Sequence, residues 1–173
     1  MRSDRTAAMA EITLGGNPVH TNGDLPEEGA KAPAFELVKS DLTTVSSDDL
    51  SGQRVVLNIF PSVDTAVCAT SVRTFNERAA DLDDTTVVCV SADLPFAAAR
   101  FCGAEGIDNV ITGSTFRSSF LDDYGLRMTD GKLAGVAARA VVVLDGDGTV
   151  LHRELVPEIA QEPDYDAAIK VLQ

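Results

Sequence analysis

The sequence is short of basic residues. Fourteen lysines and arginines stand against 27 aspartates and glutamates in 173 residues, a formal net charge of −13 at pH 7. A chain with that balance repels phosphate backbones and anionic lipid surfaces, so neither nucleic acid nor a membrane is an expected partner. Long hydrophobic runs are missing too. No apolar stretch approaches the ~20 residues that a membrane-spanning helix needs. The opening MRSDRTAAMAEITL carries two arginines with no apolar segment behind them, unlike a secretory signal. Cysteine is scarce, at three residues with no CxxC pair, which excludes a thioredoxin-type dithiol. The two histidines, His20 and His152, lie far apart and away from the cysteines, so no zinc-ligand spacing exists. Internal repeats and low-complexity segments are absent. A cytoplasmic, reducing compartment is the expectation, and there a cysteine pair is more often catalytic or redox-sensing than structural.

What is present is a chain that is 45% hydrophobic, enough for one globular domain with a real core. Residues 1–10 are expected as a disordered extension, with Met9 an alternative start, and residues 11–173 as the single domain. EITLGGNPVHTNG reads as a hairpin around Gly15-Gly16. A short extended piece at Phe35–Val38 and a turn at DDLSGQ precede RVVLNIFP, an almost unbroken apolar run suited to a strand covered on both faces. Cys68, Val72, Phe75, Ala79 and Leu82 then share one helical stripe. A second core strand is expected over Thr85–Asp93. LPFAAARFCGAEG opens on proline and closes on glycine, as helices do. NVITGS is a short strand, Phe116–Tyr124 a helix, and ARAVVVLDGDGTVLHREL a hairpin about Asp145–Gly148. PDYDAAIKVL closes the chain as a helix with Asp164 near its start. The order of elements predicts an α/β fold: a thioredoxin-like mixed sheet with helices on both faces and an N-terminal β-hairpin. A flavodoxin-like sheet is the alternative.

Three residues, Cys68, Cys102 and Arg139, invite two readings each. Cys68 sits in the first turn of its helix, at the carboxyl end of a core strand, where open α/β sheets bind ligands. Asp64 or Thr65 is placed to cap that helix, and the positive helix end favours thiolate over thiol. Cys68 is equally the size and polarity of a core filler. Cys89, in VVCVS, reads as filler that burial keeps inert. Cys102, late in the alanine-rich helix, packs by itself but could serve a reactive Cys68. Arg139 opens the apolar run ARAVVVL; either its head reaches water from the strand end or it is aimed at a thiolate. His152 is expected to face out of an edge strand. DGDGT has the wrong glycine spacing for a calcium loop and suits a turn. On these residues alone a dithiol–disulfide oxidoreductase or a non-catalytic binding module would also fit.

LNIFPSVDTAVCATSVRTFN resembles the active-site segment of the peroxiredoxins: a proline, three residues, a threonine, two residues and the reactive cysteine. Pro61, Thr65 and Cys68 match that pattern position for position. SADLPFAAARFCGAEG and AARAVVVLDGDGTVL narrow the resemblance to the thiol peroxidase subgroup, the atypical two-cysteine type. It runs from about Ile12 to the C-terminus; Ala66 stands where proline or glycine is common. The resemblance implies a thioredoxin-like fold and reduction of hydrogen peroxide and organic hydroperoxides. It implies Cys68 as the peroxidatic cysteine and Cys102 as the resolving one, joined in an intramolecular disulfide. Thr65 and Arg139 would be the activating pair, acting as donors to the departing oxygen, with Pro61 shielding the site. It further implies a homodimer, thioredoxin as reductant, and no cofactor or metal.

Overall fold

The computed structural model describes residues 9–173; the extension expected at the N-terminus falls largely outside them. Ala10 is already tied down, its N–H donating to the Gly23 carbonyl at 3.2 Å. β1 (Glu11–Leu14) and β2 (Asn17–His20) form the expected hairpin as a separate two-stranded sheet. β3 (Glu36–Val38), β4 (Thr44–Ser46), β5 (Arg54–Ile59), β6 (Thr85–Ser91), β7 (Ile111–Ser114), β8 (Ala140–Leu144) and β9 (Val150–Leu155) form one sheet in the order β4-β3-β7-β6-β5-β8-β9. β5, β6 and β7 are parallel, and β3, β8 and β9 pair antiparallel to their neighbours. An antiparallel β8 directly beside β5 excludes the flavodoxin-like alternative.

Alternation along β5 shows how the sheet divides the core. Val55, Leu57 and Ile59 enter one apolar cluster; Val56 and Phe60 enter the other. Both faces are covered, which is why the strand reads as an unbroken apolar run. α1 (Ala66–Ala79), α2 (Pro95–Glu105) and α4 (Tyr165–Lys170) cover one face through Val72, Phe75, Phe101, Ala168 and Ile169. α3 (Phe120–Asp123) and the N-terminal hairpin cover the other through Phe120, Leu121, Ile12 and Val19. Pro95 opens α2, and Gly106 ends it in the left-handed conformation at φ 68°. Asp164 caps α4, accepting from the Ala167 N–H at 3.0 Å.

Two expectations need correcting. The helix expected over Phe116–Tyr124 shrinks to Phe120–Asp123, because Thr115–Ser118 forms a turn and the Ser118 hydroxyl accepts from the Phe120 N–H. Such local serine bonds compete with helix. β4, unforeseen, is three residues long, too short to show an alternation, and pairs with β3 across a turn in which Leu42 takes φ 72°. Among the described residues no helix is long and apolar enough to cross a membrane.

Candidate active site

α1 starts soon after β5 ends, and the six-residue loop between them, Phe60 to Thr65, is held from the next strand. The Asp93 carboxylate, just past β6, accepts from the Ser62 hydroxyl at 2.7 Å, the Val63 N–H at 2.8 Å and the Ser91 hydroxyl at 2.8 Å. Pro61 is buried at the head of this loop. Thr65 occupies the N-cap position in an extended conformation, yet its hydroxyl donates back to the Ser62 carbonyl at 3.1 Å and caps nothing. Asp64 is drawn outward by Arg100 at 2.6 Å. Neither residue is the side-chain cap that was expected, so among the described residues no side chain accepts from the N–H groups of the first turn of α1.

Cys68 is the third residue of α1 and fully buried. Its helical turn is anchored from below. The Ser71 hydroxyl donates to the Cys68 carbonyl at 2.8 Å, and the Asn58 amide on β5 donates to Ser71 at 3.2 Å. Both residues are buried polar groups in an otherwise apolar layer, and no sequence signal separated them from strand and helix filler.

Arg139, immediately before β8, is only 2% exposed, so its head does not reach water. Nη2 donates to the Cys68 sulfur at 3.4 Å and Nε to the Ile159 carbonyl at 2.8 Å. Nη1 is buried with no partner among the described residues. Among the described residues no carboxylate bonds this guanidinium. A buried cation without a counter-charge is costly, and this guanidinium donates to the Cys68 sulfur.

The other cysteines differ in kind. Cys89 is buried in mid β6 and receives a long bond from Asn58 at 3.7 Å. Burial pushes its thiol up to about 12, against a small opposing effect of that bond. Cys102 is half-buried on α2 at the rim of the cluster that contains Cys68 and Cys89, and burial raises its thiol also. All three are free thiols. The structure thus brings Cys68, Arg139, Thr65 and Pro61 to one end of the sheet, with Cys102 on the adjoining helix. His152 does not project outward as expected; it is half-buried opposite Val143, its Nε2 enclosed without a partner among the described residues.

A nucleophilic thiol enzyme is the class that this scaffold and this sulfur–guanidinium contact define. The family model described as Redoxin matches residues 27–169. The thiol peroxidase of Mycobacterium tuberculosis (strain ATCC 25618 / H37Rv) is 60% identical over 164 residues, covering 95% of this chain and 99% of that protein. The crystal structure of a peroxiredoxin-like protein from Aquifex aeolicus shares 40% identity, with a TM-score of 0.89 over 94% of this chain and 96% of its own. The thiol peroxidase from Chromobacterium violaceum, at 24% identity and TM-score 0.85 over 94% and 95%, has the same thioredoxin-like fold. The chain belongs to the redoxin family and, within it, to the thiol peroxidase subgroup of the peroxiredoxins; it is a peroxidase.

Proposed function

We propose that Cys68 reduces hydrogen peroxide and organic hydroperoxides, and that Cys102 resolves the product as an intramolecular disulfide. The observation that carries this reading is the buried Arg139 donating to a buried Cys68 sulfur with a further N–H left free. The Cys68 thiolate attacks one oxygen of ROOH. An S–O bond forms, the O–O bond breaks, and RO⁻ leaves to take up a proton as ROH. Charge moves from sulfur to the leaving oxygen, so donors that face both atoms favour the transition state over the reactants. Arg139 supplies Nη2 and Nη1, and the first turn of α1 supplies uncapped backbone N–H groups. Thr65 has a different part from the donor role expected of it: its proton is committed to Ser62, so its oxygen accepts from the peroxide O–H. Buried Pro61 keeps water from the sulfur.

Cys68 is then a sulfenic acid, the reversible first rung of thiol oxidation. The Cys102 thiol displaces its hydroxyl, releasing water and forming the disulfide. That bond needs Cα atoms within ~7 Å, and the two cysteines stand on separate helices with Cys68 enclosed. The last turn of α2 therefore unwinds; Gly103, whose Cβ position is open space, and Gly106 make it the weak point. A thioredoxin dithiol then reduces the disulfide. We assign the chain a homodimeric, cytoplasmic setting from the same family resemblance.

Peroxide consumption coupled to a thioredoxin system tests the assignment. Cys68→Ser should consume none. Cys102→Ser should show one stoichiometric turnover and stall; normal cycling by that variant would remove Cys102 from the resolving role.

A further inference from the structure

The guanidinium of Arg139 is aimed by a backbone carbonyl, and that carbonyl is fixed by a clasp at the far end of the chain. Ile159 O, which accepts from Arg139 Nε at 2.8 Å, lies in the segment after β9. The same segment takes the Arg139 backbone, its Val156 N–H donating to the Arg139 carbonyl at 3.0 Å. Next to Ile159 is Glu158. Its carboxylate accepts from the Thr13 hydroxyl at 2.7 Å, the Gly16 N–H at 2.9 Å, the Ala160 N–H at 2.9 Å and the Gly15 N–H at 3.2 Å. Gly15 and Gly16 reach it because both adopt positive φ, 59° and 85°, which turns successive N–H groups to one side. Backbone bonds flank the carboxylate: Thr13 N–H to Pro157 O at 2.8 Å and Ile159 N–H to Thr13 O at 2.9 Å. These bonds, that from Ala160 foremost, hold the Glu158 carboxyl down at about 2, so the clasp is charged throughout the neutral range.

We propose that Glu158, gripped by the Gly15-Gly16 turn of the N-terminal hairpin, is a positioning residue for Arg139: it fixes the Ile159 carbonyl that turns the guanidinium onto the Cys68 sulfur. The hairpin is thereby part of the catalytic apparatus rather than an appended cover. Glu158 itself touches neither the sulfur nor the peroxide, and every effect it has on the reaction passes through Arg139. Ile159 is buried and anchored in the core, so losing the clasp loosens the loop without removing a core side chain.

The proposal rests on the peroxidase reading of Cys68 and Arg139, and a double-mutant cycle in the full chain separates the two. The reduced protein is mixed with hydrogen peroxide, quenched by alkylation, and the rate of Cys68 oxidation is read by mass. Glu158→Ala should slow that rate by between about 10-fold and 10²-fold, the scale of a small misplacement of a catalytic group. In an Arg139→Met background the same change should cost less than about 2-fold, because residues that act through one another are not additive. Thr13→Val, which keeps shape and removes one of the donors, should slow oxidation by about 2-fold to 5-fold, one hydrogen bond's worth, and likewise only while Arg139 is present. A wild-type rate in Glu158→Ala overturns the clasp alone. So does a slowing that is equal in both backgrounds. Should Glu158→Ala not fold, Thr13→Val decides by the same criterion. A wild-type chain inert to peroxide, or an Arg139→Met chain as fast as wild type, overturns the peroxidase reading and the clasp with it.

Discussion

Replacing Arg139 by methionine separates catalysis from stability. Methionine keeps the length and bulk of the side chain in a site that is 2% exposed. It removes the Nη2 donor 3.4 Å from the Cys68 sulfur and the unpartnered Nη1 beside it. Deleting one preorganised donor to a developing negative charge typically costs ~10²–10³ in rate, so Cys68 oxidation should slow by at least that factor. The stability terms nearly cancel. Losing the bond to the Ile159 carbonyl costs about 1.5–3 kcal/mol, the range for hydrogen bonds to charged groups. Relieving a buried N–H of its unmet desolvation returns about 1–3 kcal/mol. The net change should lie within about 2 kcal/mol, a melting shift of at most roughly 4–8 °C for a chain of this size. A guanidinium retained as half of a structural ion pair would instead cost about 3–5 kcal/mol on removal. The chain has no tryptophan, so rapid quench with alkylation and intact mass is the assay, alongside a thermal melt. A variant that oxidises within a few-fold of wild type while melting far lower would refute the reasoning, because it would make Arg139 structural.

Cys89→Ala should leave peroxide turnover unchanged, and it should flatten the alkaline limb of the stability curve. Burial lifts this thiol from 9.0 to about 12, so between those values the unfolded chain releases a proton that the folded chain keeps, and stability falls as pH rises. Chemical denaturation between pH 8 and about 11 checks this; an unchanged slope in the variant would contradict it. Gly125→Ala should destabilise by about 3 kcal/mol, since the position takes φ 68° and a Cβ there would meet the Asp24 backbone nitrogen at 2.5 Å and its carbonyl group. A melt within 2 °C of wild type would show that the turn can move aside.

Much of this was legible in the sequence because the central elements bury both faces. β5, α1, β6 and α2 carry long apolar runs or stripes, and Pro95 and Gly106 punctuate α2 as proline and glycine do at helix ends. Arg139 stood out as a charge opening an apolar run, but that position left open whether its head reaches water, and the fold encloses it. Tertiary competition hid the rest. Thr65 and Asp64 look like caps, but Ser62 and Arg100 claim their side chains first. Asp93 reads as the polar end of a strand until Ser62 and Val63 are folded against it. The Ile159 carbonyl could not be found from residue types, since every residue carries one. Glu158 and Thr13 are 145 positions apart, and only the docking of the hairpin brings them together.

The most direct test of the central claim is a peptide map after one equivalent of hydrogen peroxide. Selective attack at the sulfur facing Arg139 predicts a single disulfide between the Cys68 and Cys102 peptides, formed within the first turnover, with Cys89 recovered as free thiol. Recovery of Cys68 still reduced, or oxidation spread evenly over the three cysteines, would contradict it.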